Sequence, residues 1–414
     1  MCKLQAVSLA ILLVCTAAQA ATERTVEVSF LTKGKKVIPL LCRYQSIEVT
    51  DIKLPDLVLT NRLTQPATPV EIEVVGISGG ERIARFLVGR KLLDDFITQV
   101  NPQIKRKLTG RQVMDGALAL GLGLGETTVD AANLSDGAVI KPGQCAVVLL
   151  SKIVYFHYVG IDKIDGLEIV VTVESGGARR SVTLPVPLTF WESKNRYVFP
   201  LRGNLQVANM PMNYLAHRQA HSQEFALDIL QVHPDENGRL TTCRKADSPV
   251  LSDYYIYRRE VLAAGDGVVV EAADAYPEED TLGPANWSPS ASAENVARLT
   301  KKIGRRLAIA GNYVVIRHAA DEFTYYAHLS QGTIRVKAGD KVRAGQVIAL
   351  AGSTGNSSEP HLHFQLMDSK DMLTANGLPI MFADVPANRM NQYFIGASSL
   401  ACSDYLYTFL PPKK

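Results

Sequence analysis

The sequence predicts a mostly β protein with two domains: a β-sandwich-like N-terminal domain with a helical insertion, and a β-rich C-terminal domain. Residues 21 to about 80 alternate β-branched and polar side chains, which is typical of half-buried strands. Between residues 82 and 104 the apolar residues recur every three or four positions and predict one amphipathic helix. From Tyr197 onward, short apolar runs alternate with turns.

The same patterns place the domain boundary near residue 195. Further strand patterns at 146–159, 167–173 and 180–188 belong to the first domain. We therefore expect one β-rich domain over residues 21–195 and another over residues 196–414. A chain of 414 residues with 47% apolar residues has enough material for two ordinary globular cores.

The charge and the distribution of apolar residues argue against nucleic-acid binding and against a membrane span. The formal net charge is +3, whereas nucleic-acid binding usually shows as a concentrated basic excess. Beyond residue 20, no segment is apolar over the roughly 20 residues that a membrane span needs. We expect no nucleic-acid partner and no membrane span.

The first twenty residues have the pattern of a secretory signal peptide. Lys3 provides the positive start, residues 7–14 form the apolar run, and Ala18-Gln19-Ala20 forms a small-x-small cleavage site. The apolar run is too short for a membrane anchor. We expect cleavage near Ala20 and a mature protein that is periplasmic or secreted.

The cysteines predict disulfide bonds in the exported chain. Loss of the signal peptide leaves four cysteines, Cys42, Cys145, Cys243 and Cys402. An even number in an exported protein favours disulfides, although four cysteines allow three pairings. The simplest arrangement has one bridge in each half, Cys42–Cys145 and Cys243–Cys402. None of the pairs has CxxC spacing, so a cysteine zinc site is not expected.

The histidines place the chemistry in the second domain, because seven of the eight lie between His217 and His363. His361 and His363 are two residues apart in a predicted strand, so both imidazoles point to the same face. Asp228 lies in another apolar strand, where a buried carboxylate needs a positive partner such as a metal ion. A zinc hydrolase needs three protein ligands and one open position.

Asp228 and His363 can provide two of these ligands, and either His217 or His221 can provide the third. His361 then remains as a neutral imidazole that could take a proton from the attacking water. His328, which ends another predicted strand, could donate a hydrogen bond to the tetrahedral intermediate.

Five motifs in the second half, in this order and spacing, resemble the lysostaphin/LytM-type zinc endopeptidases, which cut peptide bonds in bacterial peptidoglycan. The motifs are AGDGVV at 264–269, GNYVVI at 311–316, YAHL at 326–329, GDxVxxGQxI at 339–348, and GSTG followed by HLHF within 352–364. The resemblance covers about residues 197–385 and says nothing about the domain before it.

The resemblance implies a LytM-type peptidase domain with a core at about 197–385 and one bound Zn²⁺ ion. The residues that match the family's site are the metal ligands His217, Asp228 and His363, the catalytic base His361 and its partner His328. The resemblance favours His217 over His221 because His217-Arg218 is similar to a family variant with a longer loop before the aspartate strand.

The implied activity is hydrolysis of peptide cross-links or stem peptides of peptidoglycan. The alternative is a catalytically silent LytM-like regulator that activates other cell-wall hydrolases. Because all five site positions can be filled, an active enzyme is favoured. The N-terminal domain could be a spacer, a cover over the active site or the binding surface for a regulatory protein partner.

Overall fold

The computed structural model describes residues 25–32, 34–44, 47–108, 129–208, 217–245, 247, 249–278, 288–319, 322–383 and 406–409. The predicted signal peptide and Cys402 lie outside these residues. Within them, no helix has the length and apolar character that a membrane crossing requires.

The N-terminal region, residues 25–188, is mainly antiparallel sheet. Its strands are β1 (Val26–Phe30), β2 (Leu40–Tyr44), β3 (Ile47–Ile52), β4 (Leu57–Asn61), β5 (Thr68–Ser78), β6 (Glu81–Gly89), β7 (Cys145–Val148), β8 (Phe156–Gly160), β9 (Gly166–Ser175) and β10 (Ala178–Val186). Its helices are α1 (Arg90–Leu108) and α2 (Leu150–Ile153). The strands form three sheets with the orders β1-β4-β7, β10-β9-β5-β6 and β2-β3-β8.

All three sheets contribute to one apolar core, the sheet β2-β3-β8 through Ile52 and Phe156. Leu57 of the first sheet and Ile72 and Val171 of the four-stranded sheet are fully buried in it, and α1 contributes Leu93 and Ile97. Packed sheets with a helix against them agree with the mostly β prediction, which is confirmed for the chain.

The predicted helix over residues 82–104 is wrong in its first third. Residues 81–89 form strand β6, which pairs with β5 from Glu71↔Gly89 to Ser78↔Glu81, and the helix begins only at Arg90. Gly79 and Gly80, both with positive φ, make the tight turn between the two strands. A Gly-Gly pair between two apolar runs is a hairpin pattern, and cross-strand pairing overrode the helical spacing of residues 83–87.

The C-terminal region, residues 197–409, is organised around one large antiparallel sheet. Its strands are β11 (Gly203–Val207), β12 (Leu227–Gln231), β13 (His233–Pro234), β14 (Leu240–Thr241), β15 (Glu260–Leu262), β16 (Gly267–Ala273), β17 (Asn312–Arg317), β18 (Phe323–Leu329), β19 (Lys341–Val342), β20 (Val347–Leu350), β21 (Leu362–Met367), β22 (Gly377–Leu378) and β23 (Leu406–Phe409). Helices α3 (Pro289–Ile303) and α4 (Arg305–Ala310) precede β17. The main sheet has the order β19-β16-β17-β18-β21-β12-β11-β23, and β22 pairs with β21.

The two regions share apolar packing. Ile38, Leu40 and Val49 of the N-terminal region lie in the same buried cluster as Phe225 and Phe364 of the C-terminal region. The strand orders separate near the predicted boundary, since no sheet among the described strands contains strands from both regions. The domain division at residue 195 stays a prediction, because part of the core crosses it.

The predicted Cys42–Cys145 bridge is not formed, and the predicted Cys243–Cys402 bridge involves Cys402, which lies outside the described residues. Cys145 and Cys243 are both free thiols. Cys145 begins β7 in the sheet β1-β4-β7, whereas Cys42 lies on β2 of another sheet. Chain order suggested that each half would hold one pair, but strand pairing places the two N-terminal cysteines on different sheets.

A close backbone approach joins the start of β17 to the loop before β21. Gly311 has a φ of +61°, and a Cβ there would lie 2.3 Å from the carbonyl carbon of Thr354. Gly355, with a φ of +76°, would place a Cβ 2.2 Å from the Gly311 nitrogen. Both positions need glycine for the left-handed backbone and for the space.

Gly311→Ala is expected to lower the free energy of unfolding by about 3 kcal/mol or more, from left-handed strain of about 1–2 kcal/mol and overpacking of about 1–3 kcal/mol. Gly238→Ala is the matched control, because Gly238 has a φ of +76° but open space around its Cβ position. Chemical denaturation measures both variants. Equal losses in the two would show that the close approach at Gly311 carries no cost.

Candidate functional site

Asp228 and His363 are brought side by side by the pairing of β12 with β21. The two residues lie directly opposite each other in this antiparallel pair. Their neighbours Ile229 and Leu362 are fully buried in the core on the other face. Alternation along both strands therefore turns the carboxylate and the imidazole to the same face of the sheet. Asp228 is 6% exposed, so it needs positive or donating partners.

His217 completes a group of three potential metal ligands. It begins a short 3-10 turn (His217–Gln219), and its Nε2 lies 2.8 Å from Oδ2 of Asp228. The Nδ1 of His363 lies 3.0 Å from Oδ1 of the same carboxylate. Potential ligand atoms of His217, Asp228 and His363 all lie within 4.8 Å of one another.

His221, the alternative third ligand, is not part of this group, although the structure describes it. It begins the next 3-10 turn (His221–Gln223) and is half-buried. Burial, with Lys53 and Lys35 nearby, holds the pKa of His221 well below its usual value. This side chain therefore lies in the field of two lysines of the N-terminal region, which disfavours a cation beside it.

Hydrogen-bond acceptors face both ring nitrogens of His363. The Nε2 of Gln365 donates to the Ser222 carbonyl at 3.0 Å, which fixes the Gln365 Oε1 as the atom 2.8 Å from Nε2 of His363. The other ring nitrogen, Nδ1, faces Asp228. A neutral imidazole has a single N–H and cannot donate in both directions.

Both ring nitrogens of His217 also face oxygen atoms, but here Nδ1 faces a glutamine and Nε2 faces Asp228. Its Nδ1 lies 2.9 Å from Oε1 of Gln223, and its Nε2 faces Asp228. If the two amide oxygens take the N–H groups, a bare nitrogen from each of His217 and His363 points at the carboxylate. A cation shared by these three groups resolves the mismatch, and two imidazoles with one carboxylate are donors that zinc binds.

The alternative to a cation is a proton on both rings, and burial opposes it at His363. Burial lowers the pKa of His363, against the opposing effect of Asp228. At His217 burial also favours the neutral ring, but Asp228 and Gln223 together raise the pKa above its usual value. Burial disfavours the Asp228 anion, yet His217 and His361 hold the pKa of Asp228 well below its usual range. The carboxylate is therefore ionised and the site is suited to a cation.

His361 and His328 lie beside this group. The Nδ1 of His361 donates to the backbone carbonyl of Glu359 at 2.7 Å, and its Nε2 lies 3.5 Å from Oδ1 of Asp228. The ring centroids of His328 and His361 are 4.6 Å apart. Four of the predicted site histidines and Asp228 thus converge at one point of the sheet. The third predicted ligand in this group is His217 and not His221.

A β-bulge aims His328 at the site. The pairing of β17 with β18 shifts register between Asn312 and Val314, where Asn312 lies opposite Leu329 and Val314 opposite Tyr326. The inserted residue His328 has a φ of +61°, a left-handed conformation that costs energy for a residue with a Cβ. Its Nδ1 donates to the Thr354 carbonyl at 2.7 Å.

This geometry changes the role predicted for His328. Burial, with His361 and His363 nearby, holds the pKa of His328 well below its usual value, so the ring is neutral. Because its single N–H is on Nδ1 and faces Thr354, its Nε2 is an acceptor. The expected hydrogen bond from His328 to a tetrahedral intermediate would require a second proton that burial disfavours.

Comparison with family models matches residues 292–375 to "Peptidase family M23". This segment contains His328, His361 and His363 and thus the bulge and the histidine strand. The matched segment of the M23 domain does not include His217 or Asp228, which the structure brings to it from the preceding elements.

Two curated relatives agree with the M23 assignment. The chain is 45% identical over 85 residues to the peptidoglycan DD-endopeptidase ShyA of Vibrio cholerae, which is 20% of this chain and 19% of ShyA. It is 41% identical over 86 residues to the DD-carboxypeptidase/endopeptidase Mpg of Neisseria meningitidis, which is 21% of this chain and 18% of Mpg. The chain thus matches about a fifth of the length of these relatives.

Among solved structures, the catalytic domain of lysostaphin from Staphylococcus simulans is 25% identical, with coverage of 33% of this chain and 85% of that chain and a TM-score of 0.19. A zinc-containing peptidase from Vibrio cholerae is 15% identical, with coverage of 84% and 86% and a TM-score of 0.26. At these TM-scores, neither structure adds to the M23 assignment.

The two glutamines are functional candidates that were missed in the sequence. Gln365 lies two residues after His363, so strand alternation places it on the same face. Gln223 had no such indication, because its approach to His217 depends on two consecutive 3-10 turns.

Gln223→Leu is expected to weaken Zn²⁺ binding about 10- to 100-fold, as loss of a hydrogen bond behind a ligand histidine typically does. Gln223→Glu keeps an oxygen for the Nδ1–H of His217 and should bind Zn²⁺ more tightly than Gln223→Leu. Competition with a chromogenic chelator measures both dissociation constants. Equal affinities for the two variants would contradict the hydrogen-bond role.

Proposed function

We propose that this protein is exported to the periplasm or secreted and hydrolyses peptide cross-links or stem peptides of bacterial peptidoglycan. One Zn²⁺ ion would be held by His217, Asp228 and His363 within a peptidase domain over residues 196–414. The observation that carries the proposal is the convergence of His217, Asp228 and His363, in which one ring nitrogen of each histidine lies 2.8 or 3.0 Å from the buried carboxylate. The M23 match and the peptidoglycan endopeptidases among the relatives support the substrate class.

A zinc ion at this position would supply Lewis acidity, which polarises a peptide carbonyl and makes water nucleophilic near neutral pH. His361 takes the proton of the attacking water at Nε2, because its Nδ1–H is already donated to the Glu359 carbonyl. The same proton then passes to the amine nitrogen when the peptide bond breaks. His328 accepts a hydrogen bond from the second hydrogen of that water at its bare Nε2 and so orients it.

His361→Ala is expected to keep bound zinc and to release muropeptides about 100- to 10,000-fold more slowly, because it removes the proton acceptor but no ligand. His233→Ala is the control, since His233 packs against Tyr255 outside the ligand group and the variant should retain both properties. Chromatography of digested peptidoglycan and metal analysis provide the two measurements. Wild-type activity in His361→Ala would contradict its role as the base.

His217→Ala is expected to lose most of its bound zinc at micromolar metal, whereas His221→Ala should retain it, because His217, unlike His221, groups with Asp228 and His363. Metal analysis of both variants after dialysis against the same free zinc concentration decides between them. Zinc loss in His221→Ala alone would reverse the assignment of the third ligand.

The muropeptide assay also tests the regulator alternative. A zinc-loaded wild-type protein that releases nothing from any peptidoglycan type, but stimulates a separate cell-wall hydrolase, would favour the regulator. Release of new muropeptides that stops on zinc chelation and returns on zinc addition would support the enzyme.

A further inference from the structure

A buried cluster of charges joins the N-terminal region to the loop that carries His217. Arg218 directly follows His217 and is 1% exposed. One guanidinium nitrogen of Arg218, Nη2, lies 3.1 Å from Oδ1 of Asp51 on β3. The other carboxylate oxygen of Asp51 lies 2.9 Å from Nδ1 of His157 on β8. Two strands of the N-terminal region therefore anchor the side chain next to the proposed metal ligand.

Asp51 lies closer to the Arg218 charge than Glu224 does. Glu224, in the same loop as Arg218, is farther away, with its Oε1 at 3.7 Å from Nη2. Burial raises the pKa of Glu224 to about 7, although Arg218 and Lys53 oppose the shift. Glu224 is therefore only partly ionised near neutral pH, and a buried guanidinium without a full counter-charge is strongly destabilising.

The position of Arg218 in the chain connects this ion pair to the metal site. Because His217 and Arg218 are adjacent, fixing the Arg218 side chain also fixes the backbone from which the His217 imidazole projects. Gln223 restrains the His217 ring at its Nδ1. The ring thus has one restraint from its own loop and a second from the N-terminal region through Arg218.

We propose that Asp51 is a positioning residue for the metal site, which holds His217 in place through Arg218. The N-terminal region thereby completes the site of the C-terminal region rather than serving only as a spacer. This inference rests on the metal ligands proposed above.

A second ion pair between the two regions provides a matched control. The Nζ of Lys36 lies 2.8 Å from Oδ2 of Asp368, and the Lys36 backbone N–H donates to Asn376 at 3.0 Å. This pair also joins the two regions. Asp368 directly follows the last residue of β21, and neither residue of the pair belongs to the His217 loop. Lys36→Gln therefore weakens the association of the regions without removing the anchor of His217.

The experiment measures the Zn²⁺ dissociation constant of the full chain by chelator competition in a double-mutant cycle. Asp51→Asn and Arg218→Gln are each expected to weaken binding about 10- to 100-fold. The double variant should be no weaker than the worse single variant, because both changes remove one interaction. Lys36→Gln should bind Zn²⁺ within about twofold of wild type. Wild-type affinity in Asp51→Asn, or an equal loss in Lys36→Gln, would overturn the proposal.

Two further measurements separate this role from general destabilisation and from failure of the metal site. Arg218→Lys keeps the charge beside Asp51 and should have an affinity between those of wild type and Arg218→Gln; an affinity no better than that of Arg218→Gln would count against the ion pair. The absorption spectrum of the Co²⁺-loaded protein should change in Asp51→Asn and not in Lys36→Gln.

If His217→Ala keeps its zinc, the metal ligands and this proposal both fail. If His217→Ala loses zinc while Asp51→Asn keeps wild-type affinity, only this proposal fails.

Discussion

The Asp228 carboxylate is buried between two imidazoles, and its negative charge is the constraint on which the rest of the site depends. An ionised carboxylate in the sheet needs donors or a cation, yet the nitrogens of His217 and His363 that face it belong to rings whose N–H groups have amide acceptors on the far side. The in-register pairing of β12 with β21 brings Asp228 to His363, although 135 residues separate them in the chain. The metal ion proposed above would satisfy all three groups.

The local parts of this site could be predicted from the sequence. Strand alternation was enough to place His361 and His363 on one face and to mark Asp228 as a carboxylate that needs a partner. The choice between His217 and His221 depended on the two 3-10 turns, and no short-range periodicity specifies how such turns direct a side chain. The hydrogen-bonding role of His328 depended on a long-range contact with the Thr354 carbonyl, so the residue could be found in the sequence but its accepting nitrogen could not.

In two places the fold, too, depends on long-range pairing that local sequence patterns do not predict. The Gly79-Gly80 turn was visible in the sequence, but the three- and four-residue spacing after it favoured a helix, and pairing with β5 decided the outcome for residues 81–89. The cysteine count favoured bridges, whereas Cys145 and Cys243 are free. The number of cysteines does not tell which strands pair, and strand pairing places Cys42 and Cys145 on different sheets.

The backbone strain at His328 connects the scaffold to the chemistry. A left-handed residue with a side chain persists only where its surroundings hold it, and at His328 the surroundings are the bulge against β17 and the Thr354 carbonyl. Thr354 in turn is held by its hydroxyl, which accepts from the Asn312 backbone N–H at 2.9 Å and donates to the Leu329 carbonyl at 2.8 Å. The glycine approach at 311 and 355 lets these segments come close enough for those bonds. The orientation of a neutral, accepting imidazole is therefore a property of the sheet and its adjoining loop, and does not depend on a metal ion to set it.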